Sequence, residues 1–129
     1  MTTINFHQKA ILVNAENKFL ALKKSYGQKT WDLPGGAVEI PEEHETGLRR
    51  EIREETGMEI DSVIVPLQVV SGYNKEDDEY FLFIGYRAAA RKKSVTLSDE
   101  HTDCRWVTKE EFLQLDVTPY LKEFVAGYF

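Results

Sequence analysis

GAVEIPEEHETGLRREIREETGM, residues 36–58, is the stretch that decides how the chain is arranged. Most of it, about residues 43–56, predicts an α-helix, which ends at Gly57, a residue that readily takes the left-handed conformation found after helices. At about 100° per residue, Leu48 and Ile52 form a narrow apolar stripe along this helix. We therefore expect the helix to pack on a core through that stripe.

Three carboxylates follow the stripe on one side, whereas an ordinary surface helix keeps its acids on the opposite face, in water. Glu51 is spaced i, i+4 from Glu55 and i, i+3 from Glu54, so like charges repel where helical pairs usually attract. A divalent cation removes this conflict, and hard cations such as Mg²⁺ bind oxygen ligands. The pattern predicts a metal site on the helix.

The alternative is a solvated acidic helix whose carboxylates pair with interleaved arginines, since runs of charge are usually solvated faces. The complete pattern weighs against it. Gly36 is followed after five residues by Glu42 and, after seven more, by REIREETGM, residues 50–58. This pattern resembles the Nudix box at every specified position, with Met58 a less usual last apolar residue. The chain is therefore similar to a Nudix hydrolase.

The resemblance extends beyond the box. WDLPGG, residues 31–36, looks like the segment that precedes the box in this family, and Trp106-Val107, which follows the loop of residues 98–101, looks like its late strand. The resemblance implies one Nudix hydrolase domain over residues 1–129. Alternation and turn residues predict the remaining elements. Strands are expected over about residues 6–14, 18–23 (a hairpin with the first), 60–72, 79–88 and 104–107, and helices over 109–115 and 119–126.

These elements, with apolar runs that need cover on both faces, are typical of a layered α/β domain. The resemblance implies an α/β/α sandwich with a central mixed sheet. The chain has 129 residues, 42% of them hydrophobic and 29% charged, as in soluble globular proteins. Its longest apolar runs are far too short to span a membrane. No secretory signal is visible, and the single cysteine, Cys104, fits a reducing cytosol. We expect a cytoplasmic protein without membrane contact.

The charge distribution points to a cation. Of the net charge of −6, residues 36–58 carry −4, through seven glutamates against three arginines. An acidic centre repels a polyphosphate unless cations bind there, so a phosphate ligand would require a metal. The basic run RAAARKK, residues 87–93, is interpreted as a solvated strand end and loop, and no basic stripe is present to follow a nucleic-acid backbone. We expect no nucleic-acid partner.

The resemblance also implies an activity and residue roles. It implies a Mg²⁺-dependent pyrophosphohydrolase, with Mn²⁺ as an alternative cation, that cleaves a nucleoside diphosphate linked to another group. Glu51, Glu54 and Glu55 would hold the metal, with the carbonyl of Gly36 as a further candidate ligand. Arg50 would neutralise and orient the glutamates. Metal ions suit this chemistry because they neutralise the phosphate oxygens and activate water.

The general base stays open between two residues. Family members draw it either from the box, where Glu51 is the candidate, or from a late loop, where Glu100 is the candidate. His101, beside Glu100, could donate a proton to a leaving phosphate, although a lone loop histidine more often has no such role.

Substrate choice depends on residues outside the box. Gly35 and Gly36 present backbone N–H groups that suit a phosphate, and Trp31 and Tyr73 are candidate platforms for a base. Relatives that cleave ADP-ribose carry a proline near the fifteenth residue after the box, which here is Tyr73, whereas Pro66 is only the eighth. We therefore favour a (d)NTP or dinucleoside polyphosphate, with a nucleotide sugar or ADP-ribose as the alternative.

Two other classes of protein are alternatives to an enzyme. A Nudix module that senses a nucleotide without turnover would be marked by the loss of a box glutamate, and none is lost. A structural acidic helix in a protein–protein adaptor would bind its partner regardless of a chelator. Because members of the family often pair, a homodimer is a further expectation.

Overall fold

The computed structural model of the protein describes residues 1–91 and 94–128, apart from the side chain of Ser62. Both the long elements and the helices predicted from the sequence are present, with ends that differ by a few residues. Two short strands in residues 31–37 were not predicted. In chain order the elements are β1 (Thr3–Val13), β2 (Phe19–Lys24), β3 (Trp31–Asp32), β4 (Gly35–Ala37), α1 (His44–Thr56), β5 (Ile60–Asn74), β6 (Glu79–Ala90), β7 (His101–Val107), α2 (Lys109–Leu113) and α3 (Pro119–Ala126).

The strands form one mixed sheet in the order β3-β2-β1-β6-β5, with β4 paired to β1 and β7 paired to β2. β1 runs parallel to β6 along its whole length, from Thr3 opposite Glu79 to Val13 opposite Ala89. The other strand pairs are antiparallel. This arrangement confirms the predicted α/β class with a central mixed sheet.

The expected hairpin of β1 and β2 forms only at its turn. The Asn17 N–H donates to the Asn14 carbonyl at 3.1 Å, but the strands then share only the register pair Val13–Phe19. β2 pairs instead with β7, and the middle of β1, from His7 to Lys9, pairs with β4. The prediction relied on closeness in sequence, whereas distant strands supply most partners of both β1 and β2. The two strands therefore diverge.

Each face of the sheet has its own apolar core. Ile11 and Val13 of β1 pack with Phe83 and with Phe124 of α3, while Leu12 packs on the other face beneath α1. Side chains of a strand alternate between faces, so the apolar run of β1 serves both cores. Burial of one such side chain contributes about 1.5–3 kcal/mol. Helices on both faces complete the predicted sandwich.

The end of β6 carries the basic run of the sequence. The Arg87 Nε donates to the Tyr128 hydroxyl at 2.7 Å, and the Arg91 Nε lies 3.1 Å from the Asp61 carboxylate. Lys92 and Lys93 lie outside the described residues. The two arginines thus have partners within the chain. Among the helices in the described part of the chain, none is both long and apolar enough to cross a membrane.

Candidate active site

The helix α1 lies as its sequence predicts. Leu48 and Ile52 are fully buried against the sheet, and Gly57 follows the helix with φ 71°, the left-handed value expected there. Because the apolar stripe fixes the rotation of the helix, Glu51 and Glu55 are turned towards a cavity of about 560 Å³. The cavity lies beside the first half of β1, where β2 has diverged from it.

Arg50 forms a fork that binds three box carboxylates. Its Nε and Nη2 donate to the two oxygens of Glu42 at 2.7 and 3.0 Å, and its Nη1 donates to Glu51 at 3.1 Å and to Glu54 at 3.2 Å. The hydrogen bonds to Glu42 raise the pKa of Arg50 further, so it stays charged. Arg50 thus contacts three of the box carboxylates at once, and its orienting role stays a prediction. Glu42 serves as its main partner and not as a helix cap.

Glu55 is the most buried acid of the box. It is 5% exposed, and its Oε1 accepts a hydrogen bond of 2.8 Å from the Gly35 N–H. Burial raises the pKa of Glu55 to about 8, although the Gly35 N–H and the Lys9 charge oppose that shift. The Gly35 N–H, expected to bind a phosphate, instead holds this carboxylate in place. A buried carboxylate with a raised pKa needs a positive charge nearby to be ionised.

Glu51 occupies the space that a side chain at residue 36 would need. A Cβ on Gly36 would lie 2.6 Å from the Glu51 Cδ and 2.7 Å from its Oε2. Burial also raises the pKa of Glu51, and Arg50 opposes the shift. Glu54 differs from both, because its side chain is 59% exposed beside Arg50. Two half-buried or buried carboxylates next to a bare backbone are oxygen donors that fit a divalent cation.

Two residues of the late loop meet Glu55 across the cavity. Glu55, Glu100 and His101 each offer one donor atom, and the three atoms lie within 4.8 Å of one another. The Glu100 carbonyl accepts from the Ser25 N–H at 2.8 Å, which ties the loop to the end of β2. The structure thus brings the two candidate bases, Glu51 and Glu100, to one cavity.

An ion pair in the cavity wall was not predicted. The Lys9 Nζ lies 2.8 Å from the Asp32 Oδ2, with both side chains largely buried. Burial opposes both charges, but their attraction outweighs it, so the pKa of Lys9 is raised and that of Asp32 is lowered. Asp32 Oδ1 also accepts from the Leu33 N–H at 2.8 Å. The available signal was a single lysine inside the strand sequence HQKAILV, residues 7–13.

The two aromatic residues proposed as base platforms lie elsewhere. Trp31 is buried in the core, with the Arg105 guanidinium 4.8 Å from its ring centre. Tyr73 is exposed, and its hydroxyl donates to Asp78 at 2.7 Å. Neither is among the described residues that line the cavity.

Other aromatic side chains form that wall. Phe81 of β6 lies with its ring centre 4.7 Å from that of Tyr120, the second residue of α3, and both line the cavity, as does Tyr26. The alternation of β6 places Phe81 on one face of the sheet, but no local signal shows that α3 brings Tyr120 to it.

A family profile described as NUDIX domain matches residues 7–128. The chain belongs to the Nudix family. Among its relatives, a MutT-like protein from Streptomyces ambofaciens is 29% identical over 101 residues, which are 78% of this chain and 62% of that protein. The nucleoside triphosphatase NudI from Salmonella arizonae is 35% identical over 95 residues, 67% of each chain. The matched region thus spans about two thirds of the length of these relatives.

A solved structure supports the same assignment. The crystal structure of the MutT protein from Methanosarcina mazei superposes on this Nudix domain with a TM-score of 0.81 and 27% identity, covering 97% of this chain and 92% of that one. The predicted family and fold are confirmed. The profile and the relatives also indicate that the matched domain is that of a hydrolase acting on phosphoric anhydride bonds, as the sequence predicted.

Proposed function

We propose that this protein is a Mg²⁺-dependent pyrophosphohydrolase that cleaves a nucleoside diphosphate linked to another group. The observation that carries the proposal is the meeting of Glu51, Glu55 and Glu100 in one cavity with an aromatic wall. The carboxylates of the lining can bind a cation and a phosphate chain, and its aromatic rings can pack on a nucleobase.

The metal site would be built on α1. Glu51 and Glu55 line the cavity and would hold the cation there, with the Gly36 carbonyl as a further candidate ligand. Glu54, which is exposed beside Arg50, would be the third carboxylate ligand. When bound, the cation neutralises phosphate oxygens and lowers the pKa of water. Arg50 holds Glu51 and Glu54 in place through its Nη1, at 3.1 and 3.2 Å, so the glutamates are positioned before any ligand enters.

The general base would be Glu51 or Glu100. Both carboxylates line the cavity, but one oxygen of Glu51 already accepts a hydrogen bond from Arg50. A base needs a free lone pair within reach of the attacking water. We therefore propose Glu100 as the first candidate to test and Glu51 as the alternative.

The favoured substrate is a (d)NTP or a dinucleoside polyphosphate. The NudI relative is a nucleoside triphosphatase, which supports the first of these. A nucleotide sugar or ADP-ribose is the alternative substrate, and a non-catalytic nucleotide sensor is the alternative function. The nucleobase would pack on the rings of Phe81 and Tyr120, and not on Trp31 and Tyr73 as the sequence suggested.

The deciding experiment measures phosphate or pyrophosphate release from a panel of nucleotides, with Mg²⁺ and with EDTA. The panel holds unmodified and oxidised nucleoside triphosphates, dinucleoside polyphosphates, nucleotide sugars and ADP-ribose. We expect metal-dependent release from triphosphates or dinucleoside polyphosphates. Release without metal would contradict the mechanism. Binding of nucleotides without release of any product would leave the sensor as the function.

Three further properties stay proposals. We propose that residues 1–129 act as one domain in the cytoplasm, where the single Cys104 would stay reduced, and that two copies pair. An exposed apolar face supports pairing: Ile4, Tyr80 and Tyr73 form one cross-strand row of β1, β6 and β5 and are 72%, 37% and 54% exposed. Light scattering of the wild type and of Ile4→Glu measures the expected dimer and its loss. A monomeric wild type would contradict pairing.

A further inference from the structure

The side chains of His101 and Glu55 face each other without a bond. The His101 Nε2 lies 3.9 Å from the Glu55 Oε2, and the two side chains are 3% and 6% exposed. This separation is too long for a hydrogen bond, which joins an N–H and an oxygen at about 2.7–3.2 Å. Both residues line the cavity, so a ligand in the cavity can reach the space between the two atoms.

The other ring nitrogen of His101, Nδ1, is buried and also lacks a hydrogen-bond partner among the described residues. Buried polar groups nearly always have partners, and each exception calls for a cause. The Oε1 of Glu55 is held by the Gly35 N–H at 2.8 Å, which leaves Oε2 directed at the ring. The arrangement therefore presents an imidazole nitrogen and a carboxylate oxygen to the same space.

A shared cation accounts for the observed spacing. Two ligands that each lie about 2.0–2.2 Å from one metal ion are roughly 3–4 Å from each other. The separation of 3.9 Å between His101 and Glu55 falls in that range. Glu100 supplies a third donor, and all three donor atoms lie within 4.8 Å of one another. Two carboxylates and a neutral imidazole would also balance the charge of a divalent ion.

We propose that Glu55, Glu100 and His101 form a nitrogen-containing site for a divalent transition metal, such as Co²⁺ or Zn²⁺, distinct from the Mg²⁺ position beside Glu51 and Glu54 and adjacent to it through the shared carboxylate of Glu55. Imidazole favours these cations, whereas Mg²⁺ favours oxygen donors. The inference deepens the proposed function, because it adds a second cation of different preference to the same cavity. His101 is then a metal ligand and not a proton donor to the leaving phosphate.

The distinguishing property of this site is nitrogen coordination, which can be measured without turnover. Co²⁺ is added to the purified protein at one and two equivalents, and pulsed electron paramagnetic resonance detects coupling of the ion to ¹⁴N of a bound imidazole. We expect coupling in the wild type and its loss in His101→Gln. Lack of coupling in the wild type at two equivalents, or its persistence in a folded His101→Gln protein, would overturn the proposal.

A matched variant keeps the test decisive if His101→Gln does not fold. The chain has three histidines, so the double variant His7→Gln/His44→Gln leaves His101 as the sole imidazole. Coupling in this double variant assigns the ligand to His101, and its absence overturns the assignment. His44 lies outside the cavity, where its Nδ1 is 3.2 Å from the Tyr86 hydroxyl.

Calorimetric titration measures the preference for the cation. His101→Gln should weaken the binding of Co²⁺ at least about 10-fold, the lower end of what loss of even an outer-sphere partner costs, while Mg²⁺ binding should change little. Equal weakening for both cations would contradict a separate site. These measurements use no substrate, so the two proposals can fail separately. If no nucleotide is hydrolysed, the proposed function is wrong but the metal site can still be correct. If no imidazole nitrogen binds the metal, the metal site is wrong but the proposed function can still be correct.

Discussion

The Glu51 carboxylate fills the space beside the Gly36 Cα, so that a Cβ at residue 36 would lie 2.6 Å from the Glu51 Cδ. Real side-chain atoms do not approach so closely, and one of the two groups would have to move. Glu51 is held by Arg50 at 3.1 Å, and Gly36 is held in β4 opposite Gln8. The glycine at the start of the box is therefore a steric requirement of the carboxylate fifteen positions later.

Gly36→Ala should displace the Glu51 carboxylate and lower turnover by about 100-fold, because misplacement by about 1 Å can cost that much. Steady-state kinetics with saturating Mg²⁺ measures the loss. Gly127→Ala is the matched control, since a Cβ there would meet its nearest atom at 3.5 Å. An unchanged rate in Gly36→Ala would show that the position of Glu51 does not limit catalysis.

Glu54→Gln and Glu55→Gln should each lower turnover by two or more orders of magnitude, because each removes a charged metal ligand. The two variants should differ in stability. Glu54 is exposed, so its replacement should leave the free energy of unfolding near the wild-type value, whereas Glu55 is buried and bonded to the Gly35 N–H. A Glu54→Gln enzyme with the full rate would remove Glu54 from the site.

The contribution of Glu55 to the stability of the metal-free protein should fall as pH rises. Burial raises the pKa of Glu55 to about 8 from the ordinary 4.5, so the folded state binds a proton more tightly than the unfolded state. The stabilising contribution is complete below pH 4.5 and is lost between about pH 4.5 and 8. Urea denaturation in EDTA measures this trend, and Glu55→Gln should flatten it. The quantity to follow is the difference in unfolding free energy between the wild type and Glu55→Gln, both without metal. A rise of this difference between about pH 4.5 and 8 would contradict the burial of a neutral Glu55 carboxyl.

Glu100→Gln tests the general base. If Glu100 accepts the proton of the attacking water, turnover at saturating Mg²⁺ should fall by about 10²–10⁴-fold, the usual contribution of a positioned base. Glu110→Gln, an exposed acid on α2, serves as the control. A wild-type rate in Glu100→Gln would assign the role to Glu51. Because Glu100 is also a proposed metal ligand, the comparison is made where added metal no longer changes the rate.

The Lys9–Asp32 pair should stabilise the cavity wall only as a pair. Asp32→Leu alone leaves a buried, unpaired ammonium group and should cost about 3–5 kcal/mol of unfolding free energy. Lys9→Met/Asp32→Leu, which removes both charges, should recover most of that loss. Urea denaturation of the two single variants and the double variant gives the coupling energy. Additive losses would show that the 2.8 Å contact contributes little.

Local patterns explain why so much of α1 was predictable. The rotation of the helix follows from Leu48 and Ile52, its end follows from Gly57, and the carboxylates are then carried to one side. The parallel pairing of β1 with β6 was not predictable in this way. Its partners are separated by more than seventy residues, and closeness in sequence favoured a β1–β2 hairpin that the structure forms only at Val13 and Phe19.

The missed parts of the site depend on the same long-range pairing. Lys9 becomes a cavity residue because β2 diverges from β1, and His101 reaches Glu55 because β7 pairs with β2. Tyr120 reaches Phe81 because α3 covers the sheet. In each case the residue type was visible in the sequence, but the neighbour that gives it a role comes from another element. Trp31 shows the converse, since an aromatic residue beside the box became part of the core.

The alternation of side chains along β1 separates the residues that contact the ligand from the residues that bind the cation. Asn5, His7 and Lys9 project from every second position of one strand into the cavity, whereas the proposed cation ligands come from α1 and from the chain around the start of β7. Substitution at positions 5 and 7 can therefore diversify the ligands that this scaffold accepts while the residues that bind the cation stay intact. A library of variants at positions 5 and 7, selected on new nucleotides, would change the substrate and keep the hydrolytic reaction.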